Sequence, residues 1–373
     1  MVAPTDERGP RGLLPSVSPV RFLTVDGELT ELDEHGGYQL PPAERLATVY
    51  HQMVVGRHFD TEATNLTKLG RLAVYPSSRG QEACQVAGVA VLGAQDWLFP
   101  TYRDTVALVT RGIDPVEALG LLRGDWHCGY DPVATRTAPQ CTPLGTHLPH
   151  AVGLAYAARR RGEDLVAMAF VGDGGTSEGD FHEALNFAAV FDAPVVFLVQ
   201  NNRYAISVPL SRQSAAPSLA HKGIGYGIRS EQVDGNDAVA LMAVLSAAVE
   251  SVRSGAGPML VEAHTYRMEA HTNADPVDRY RDASEVAEWV ERDPLRRLER
   301  YLRAAGELSD ADVQAAEHAA EELVTWMRPR MNVDPVVDPA AMFEHVYAEP
   351  TAQLIDQRDM VVAEADLLAG EDR

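Results

Sequence analysis

Residues Leu165–Pro209 read LVAMAFVGDGGTSEGDFHEALNFAAVFDAPVVFLVQNNRYAISVP. Leu165–Val171 is an almost unbroken apolar run of strand length, the pattern of a strand covered on both faces. Gly172-Asp173-Gly174-Gly175 follows as a turn. Ser177, with Asp180 three residues on, has the form of a partial capping box. Phe181, Ala184, Leu185 and Ala188 then recur at helical spacing. Pro194 ends that helix, and Val195–Val199 is a second buried strand. A strand–helix–strand unit of this length predicts two parallel strands joined by a right-handed crossover.

In such a sheet, ligands bind beyond the carboxyl ends of the strands. Asp173 and Asn201-Asn202 fall at those ends. A carboxylate and a carboxamide are hard oxygen donors suited to magnesium, which keeps its other positions for water and phosphate oxygens. The glycines around Asp173 let backbone approach a phosphate with no side chain between. Alone, Asp-Gly is ordinarily a turn and Asn-Asn a loop signal; their joint position on successive strand ends is the informative feature. Two commoner phosphate loops are excluded. Ser177 stands where the dinucleotide fingerprint needs glycine, and Asp180 stands where a P-loop needs lysine.

Gly172-Asp173-Gly174, a helix, then Asn201-Asn202 resembles the metal and diphosphate motif of thiamine-diphosphate enzymes. The flanking GDGGTSEGD and QNNRYAISVP are more particular. They resemble the alpha subunit of the decarboxylating component of 2-oxo acid dehydrogenase complexes, of the pyruvate and branched-chain types. The resemblance runs from about Leu40 to Leu302. It implies an α/β thiamine-diphosphate-binding fold, a mostly parallel sheet with helices on both faces and helical N- and C-terminal extensions. The implied cofactors are thiamine diphosphate and Mg2+.

Residue by residue, the resemblance makes Asp173, Asn202 and the Tyr204 carbonyl the metal ligands. Gly172, Gly174, Gly175, Tyr102 and Arg103 (within FPTYRD) would hold the diphosphate. The loop Cys141-Thr142-Pro143-Leu144-Gly145-Thr146-His147 would pack on the aminopyrimidine ring, with Thr142 beside it and the Leu144 carbonyl on its amine. In some members the positions of Cys141, Pro143, Thr146 and His147 hold potassium; Cys141 and His147 depart from the usual residues. His271, followed by Thr272 where some relatives carry a phosphorylated serine, would be the catalytic histidine, stabilising an oxyanion or passing the acyl group on. Arg203 stands where some relatives have glycine. The implied partners are a beta subunit carrying the catalytic glutamate, in a two-alpha, two-beta assembly, the lipoyl domain of the acyltransferase component, and a 2-oxo acid substrate.

With 373 residues, 46% of them hydrophobic, the chain can build one large α/β core. The net charge of −22 argues against a nucleic-acid partner. The sparse, odd cysteine count of 3 fits a cytoplasmic location. Neither a signal-peptide apolar core nor a run near the ~20 residues of a membrane helix is expected. The adjacent His127 and Cys128 suggest a zinc pair, but no second pair follows, so they read as structural or exposed.

Three regions are expected: an N-terminal arm (1–40), the cofactor-binding α/β domain (41–305) and a C-terminal helical region (306–373). Helices are predicted after Pro41-Pro42, from Arg79 to about Leu92, after Asp114-Pro115, over Pro149–Arg161, and from Asp237 to about Arg253. Later ones begin at Ser284, at Asp293-Pro294 with Leu295 inward, and at Ser309. Further strands are predicted at Trp97–Phe99, after Gly225-Tyr226-Gly227-Ile228 as far as Val233, and at Met259–Ala263. Ser207–His221 and His264–Asp282 read as loops. Three rival functions remain open at this level. A self-sufficient thiamine-diphosphate decarboxylase or transketolase needs a second domain. A nicotinamide-dependent dehydrogenase lacks its fingerprint. The third rival is a non-catalytic acidic scaffold.

Overall fold

Five parallel strands form the central sheet, in the order Trp97–Phe99, Ala167–Gly172, Val195–Asn201, Met259–His264 and Arg229–Asp234. The computed structural model describes residues 10–124, 128–334 and 338–371. His127 and residues 1–9 of the expected arm lie outside the described residues. The strands are β1 (Trp97–Phe99), β2 (Ala167–Gly172), β3 (Val195–Asn201), β4 (Tyr204–Ala205), β5 (Val208–Pro209), β6 (Arg229–Asp234) and β7 (Met259–His264); β4 and β5 make a separate antiparallel hairpin. The helices are α1 (Ala43–Lys68), α2 (Glu82–Ala90), α3 (Thr105–Thr110), α4 (Pro115–Ala118), α5 (Gly120–Arg123), α6 (Pro132–Thr135) and α7 (His147–Arg161). They continue with α8 (Gly179–Val190), α9 (Ala238–Arg253), α10 (Ala283–Val290), α11 (Pro294–Ala304), α12 (Asp310–Met331) and α13 (Ala352–Glu371).

The strand–helix–strand unit forms as its apolar runs predict. β2 and β3 are parallel, with Ala167 beside Val195 and Gly172 beside Gln200. Both faces are covered, as a parallel sheet requires. Ala167, Ala169 and Val171 share a core with Phe181, Ala184 and Leu185 of α8 and with Leu148, Ala151 and Ala155 of α7. On the other face α2 comes so close that a Cβ added at Gly88 would lie 2.5 Å from the Phe170 ring and 3.3 Å from Leu198. Only glycine permits that approach.

The chain falls into two compact units, Met1–Arg328 and Pro329–Arg373. The expected divisions at 40 and 305 lie within the first. Buried carboxylates tie the elements of the first unit together. Asp237 caps α9 through Val239 and Ala240, and also accepts the backbone N–H groups of Phe22 at 2.8 Å and Leu23 at 2.7 Å. Val20 pairs in parallel with Val233 at the sheet edge. Arg57 of α1 bridges Glu82 of α2 at 2.8 Å and Asp293 at the start of α11 at 2.7 Å. Arg328 of α12 reaches Glu62 of α1 at 2.7 Å. The second unit contains α13.

Caps set the helix starts, and three sequence expectations change. Asp114, Asp237 and Asp293 cap as expected, and Ser309 forms a reciprocal capping box with Asp312. Ser177 and Asp180 form no such box: Glu178 occupies the cap of α8 without a side-chain bond, and Asp180 accepts from Thr146 instead. Asp282, not Ser284, occupies the cap of α10. The inward residues of α11 are Arg297, Leu298 and Leu302, while Leu295 is half-buried. β6 begins at Arg229, where expected, after Leu219–Tyr226 winds into a 3-10 helix that Gly227 ends at φ 73°. Among the described residues no helix is long and apolar enough to cross a membrane.

Candidate active site

The carboxyl ends of β1, β2 and β3 open into a cavity of about 440 Å³. Every residue that the resemblance assigns to magnesium, thiamine diphosphate or catalysis lines it: Tyr102, Arg103, Thr142, Leu144, Gly172, Asp173, Gly174, Gly175, Asn202, Tyr204 and His271. The topology accounts for the gathering. β2 ends at Gly172 and delivers Asp173; β3 ends at Asn201 and delivers Asn202. Beyond β1, Thr101 pairs with Cys141 and the Tyr102 N–H donates to the Cys141 carbonyl at 3.0 Å, so the Thr142–Leu144 loop lies beside Tyr102-Arg103.

Asp173 is only 1% exposed, and burial pushes its carboxyl up to about 6 against the bond from Gln213. The parallel register, with Gly172 beside Gln200, places the two strand tips side by side. The Gln213 amide donates to Oδ2 at 3.0 Å. A buried carboxylate whose side-chain partner is a neutral amide, next to a buried carboxamide, is a donor set for a hard cation. Among the described residues no three His, Cys, Asp or Glu side chains cluster as a metal site; the arrangement here is one carboxylate with an amide and backbone oxygens.

The glycines shape the floor. A Cβ at Gly174 would lie 2.6 Å from that of Ala205, and one at Gly175 2.6 Å from a Val171 methyl. A Cβ at Gly172 meets nothing within 4 Å, so a side chain there would occupy the cavity itself. Gly172→Val suits a strand end and should leave the melting temperature near native. It should weaken binding of any ligand in the cavity about 10- to 100-fold; calorimetric titration reads it.

Two guanidinium groups converge on His271. Arg103 is 5% exposed; it donates to the Ser77 carbonyl at 3.0 Å, to the His271 carbonyl at 3.1 Å and to His271 Nδ1 at 3.0 Å. Arg267, fully buried, approaches the same Nδ1 at 3.3 Å and donates to the Ile206 carbonyl and the Tyr280 hydroxyl. Guanidinium only donates, so Nδ1 accepts and the ring proton sits on Nε2. Burial, then Arg103 and Arg267, hold the His271 imidazole down to about 4, against Asp275. Asp275 accepts from the His271 N–H at 2.8 Å and from Tyr280. Burial and the Arg103 charge hold Arg267 below its usual value. Crowded cations beside a cavity of this kind favour an anion in it.

The model of the dehydrogenase E1 component matches residues 50–327. The chain belongs to the dehydrogenase E1 component family. This E1 chain is 47% identical over 365 residues to the 3-methyl-2-oxobutanoate dehydrogenase subunit alpha of Mycobacterium tuberculosis, covering 96% of this chain and 97% of that one. It is 38% identical over 319 residues to the pyruvate dehydrogenase E1 component subunit alpha of Acholeplasma laidlawii (85% and 92% covered). With the protein of the same name from Staphylococcus aureus the identity is 37% over 322 residues (82% and 87% covered).

Other positions in this E1 chain behave differently from the cavity residues. Cys141 donates its thiol to the Pro143 carbonyl at 3.1 Å, His147 is bonded to the Phe170 carbonyl at 2.6 Å, and Thr146 donates to Asp180 at 3.2 Å. The atoms considered for potassium are thus engaged within the protein. Arg203 adopts φ 75°, with its guanidinium 4.9 Å from the Trp289 ring centroid. That stacking helps hold a backbone conformation that glycine adopts freely. Sequence reasoning missed Arg267, Gln81, Gln200 and Asp104. Gln200, the amide that ends the apolar run of β3 ahead of Asn201 and Asn202, was the available signal.

Proposed function

We propose that this chain is the alpha subunit of a 2-oxo acid dehydrogenase. With a beta subunit it decarboxylates a 2-oxo acid and transfers the acyl group to lipoamide. One arrangement supports this above all: Asp173 and Asn202, on neighbouring strand tips, face one cavity with glycine floors, beside the buried Arg103 and its half-buried partner His271.

The residues present fit magnesium and thiamine diphosphate. Asp173, Asn202 and the Tyr204 carbonyl would hold the metal. Gly172, Gly174, Gly175, Tyr102 and Arg103 would hold the diphosphate, and Thr142 and Leu144 the aminopyrimidine. When bound, the cofactor supplies the electron sink that lets a 2-oxo acid lose carbon dioxide. The chain's own part is to bind, orient and exclude water. His271, neutral and with its proton on Nε2, can donate to an oxygen that gains charge. The beta subunit completes the site, and the lipoyl domain of the acyltransferase component receives the acyl group.

The greater identity to the 3-methyl-2-oxobutanoate relative, over nearly the full length of both chains, supports a branched-chain 2-oxo acid as the substrate. Reconstitution with the beta subunit tests both parts. Expected is a kcat/KM for 3-methyl-2-oxobutanoate about 10- to 200-fold above that for pyruvate, the discrimination a pocket gains from a few carbons. A preference for pyruvate would overturn the substrate assignment. Turnover of neither, with cofactor bound, would overturn the function.

A further inference from the structure

Beneath the cavity, four buried side chains form one directional chain of hydrogen bonds. Asn202 Nδ2 donates to Gln81 Oε1 at 2.9 Å. Gln81 Nε2 donates to Gln200 Oε1 at 3.0 Å. Gln200 Nε2 donates to Asp104 Oδ1 at 2.7 Å. Asp104 Oδ2 receives the Thr101 N–H at 2.7 Å and the Thr101 hydroxyl at 2.6 Å. All four side chains belong to residues no more than 6% exposed.

The sense of this chain follows from chemistry. A carboxamide has a donor end and an acceptor end, and a buried one turned the wrong way leaves two clashing or unmet groups. Three donors converge on Asp104, which as a carboxylate only accepts. Gln200 must therefore turn its N–H2 toward Asp104 and its oxygen toward Gln81. Gln81 must then turn its N–H2 toward Gln200 and its oxygen toward Asn202. Asn202 must in turn commit its N–H2 to Gln81, which keeps its oxygen on the other side. There, among the described residues, Oδ1 accepts only the Tyr204 N–H at 3.3 Å, the longest bond in the chain.

We propose that Asp104 is a positioning residue that acts through Gln200 and Gln81 to make Asn202 present oxygen, rather than N–H2, to the cation. This rests on Asn202 being a metal ligand, as proposed above. Asp104 lies at the start of α3 and Gln81 at the start of α2, so two helices and a strand tip set one ligand's orientation.

The test moves the carboxylate from one end of the chain to the other. Asp104→Asn keeps the size of the side chain and can still offer oxygen to Thr101. It then turns N–H2 toward Gln200, so Gln200, Gln81 and finally Asn202 must reverse. Binding of Mn2+, measured by electron paramagnetic resonance with thiamine diphosphate and the beta subunit present, is expected to weaken about 10- to 100-fold. Adding Gln81→Glu to Asp104→Asn supplies an acceptor next to Asn202. The new carboxylate would take N–H from both Asn202 and the reversed Gln200, whose oxygen then meets the amide introduced by Asp104→Asn. Total charge is unchanged, and Mn2+ affinity should return to the native range.

A purely structural role would not produce this rescue. Native Mn2+ affinity in Asp104→Asn, or a double variant no tighter than Asp104→Asn, would overturn the proposal. If Asp104→Asn does not fold, Gln81→Met and Gln81→Glu decide. Weakened binding in the first alone is expected, and equal affinities in the two would overturn it. Asn202→Ala separates the levels: native affinity there would remove the ligand assignment itself. Loss there with native affinity in Asp104→Asn removes only the relay.

Discussion

Asp173→Ala, assembled with the beta subunit, is expected to lose magnesium-dependent thiamine diphosphate binding while keeping its fold. The carboxylate is almost wholly removed from water, and burial has already raised its proton affinity. Its removal leaves Gln213 without one acceptor but also takes away a desolvated charge, so the melting temperature should stay near native or rise. A cation, by contrast, loses its one anionic ligand from this chain. Binding should weaken ~100-fold or more, beyond the range seen when only supporting residues are changed. Calorimetric titration of cofactor at fixed Mg2+ reads the loss. Native affinity in Asp173→Ala would mean that the metal is held elsewhere.

The second large effect belongs to His271. His271→Ala should lower acyl transfer to lipoamide by ~100- to 1,000-fold, the range for a positioned donor to developing charge. Cofactor affinity should change far less. The groups facing the imidazole are Arg103, Arg267, Asp275 and the edge-on Tyr102 ring. Burial and two cations outweigh one carboxylate, so the ring is held near pH 4, below its ordinary 6.5. The sign of the consequence is definite. On acidification the unfolded chain takes up this proton first, near 6.5. Stability contributed by the neutral ring is therefore present above pH 6.5 and lost as pH falls through about 4. His271→Gln should flatten that part of the stability curve. Binding of a diphosphate would offset the arginine charges and move the imidazole upward, a shift that NMR titration with and without thiamine diphosphate can read. An unchanged titration would argue that the anion lies away from Arg103.

The elements with clear periodicity were legible in the chain. The apolar runs of β2 and β3 and the glycines between β2 and α8 specify a parallel unit with donors at its mouth, and both side chains line the cavity there. Cap positions were less legible, because several polar residues compete at each helix start. Asp180 lost its place in a capping box to a bond from Thr146, which is 34 positions away in sequence. The supporting groups were hidden for a deeper reason. Arg267 reads as a loop cation, yet it is buried because the segment after β7, which also carries His271, folds back over Tyr204. Gln81, Gln200 and Asp104 come from three separate elements, and no local pattern links them. Their role depends on the direction of each amide, which exists only once the strand tips and helix starts are packed together.

The central claim is that one divalent ion joins the tips of β2 and β3 to a diphosphate. Anomalous diffraction at the manganese edge, from crystals of the assembly with the beta subunit grown with Mn2+ and thiamine diphosphate, tests it most directly. One peak is expected in the cavity, ~2.0–2.2 Å from an Asp173 oxygen and from the Asn202 side-chain oxygen, with diphosphate oxygens completing an octahedron. A peak that touches neither residue, or diphosphate bound there with no peak, would contradict it.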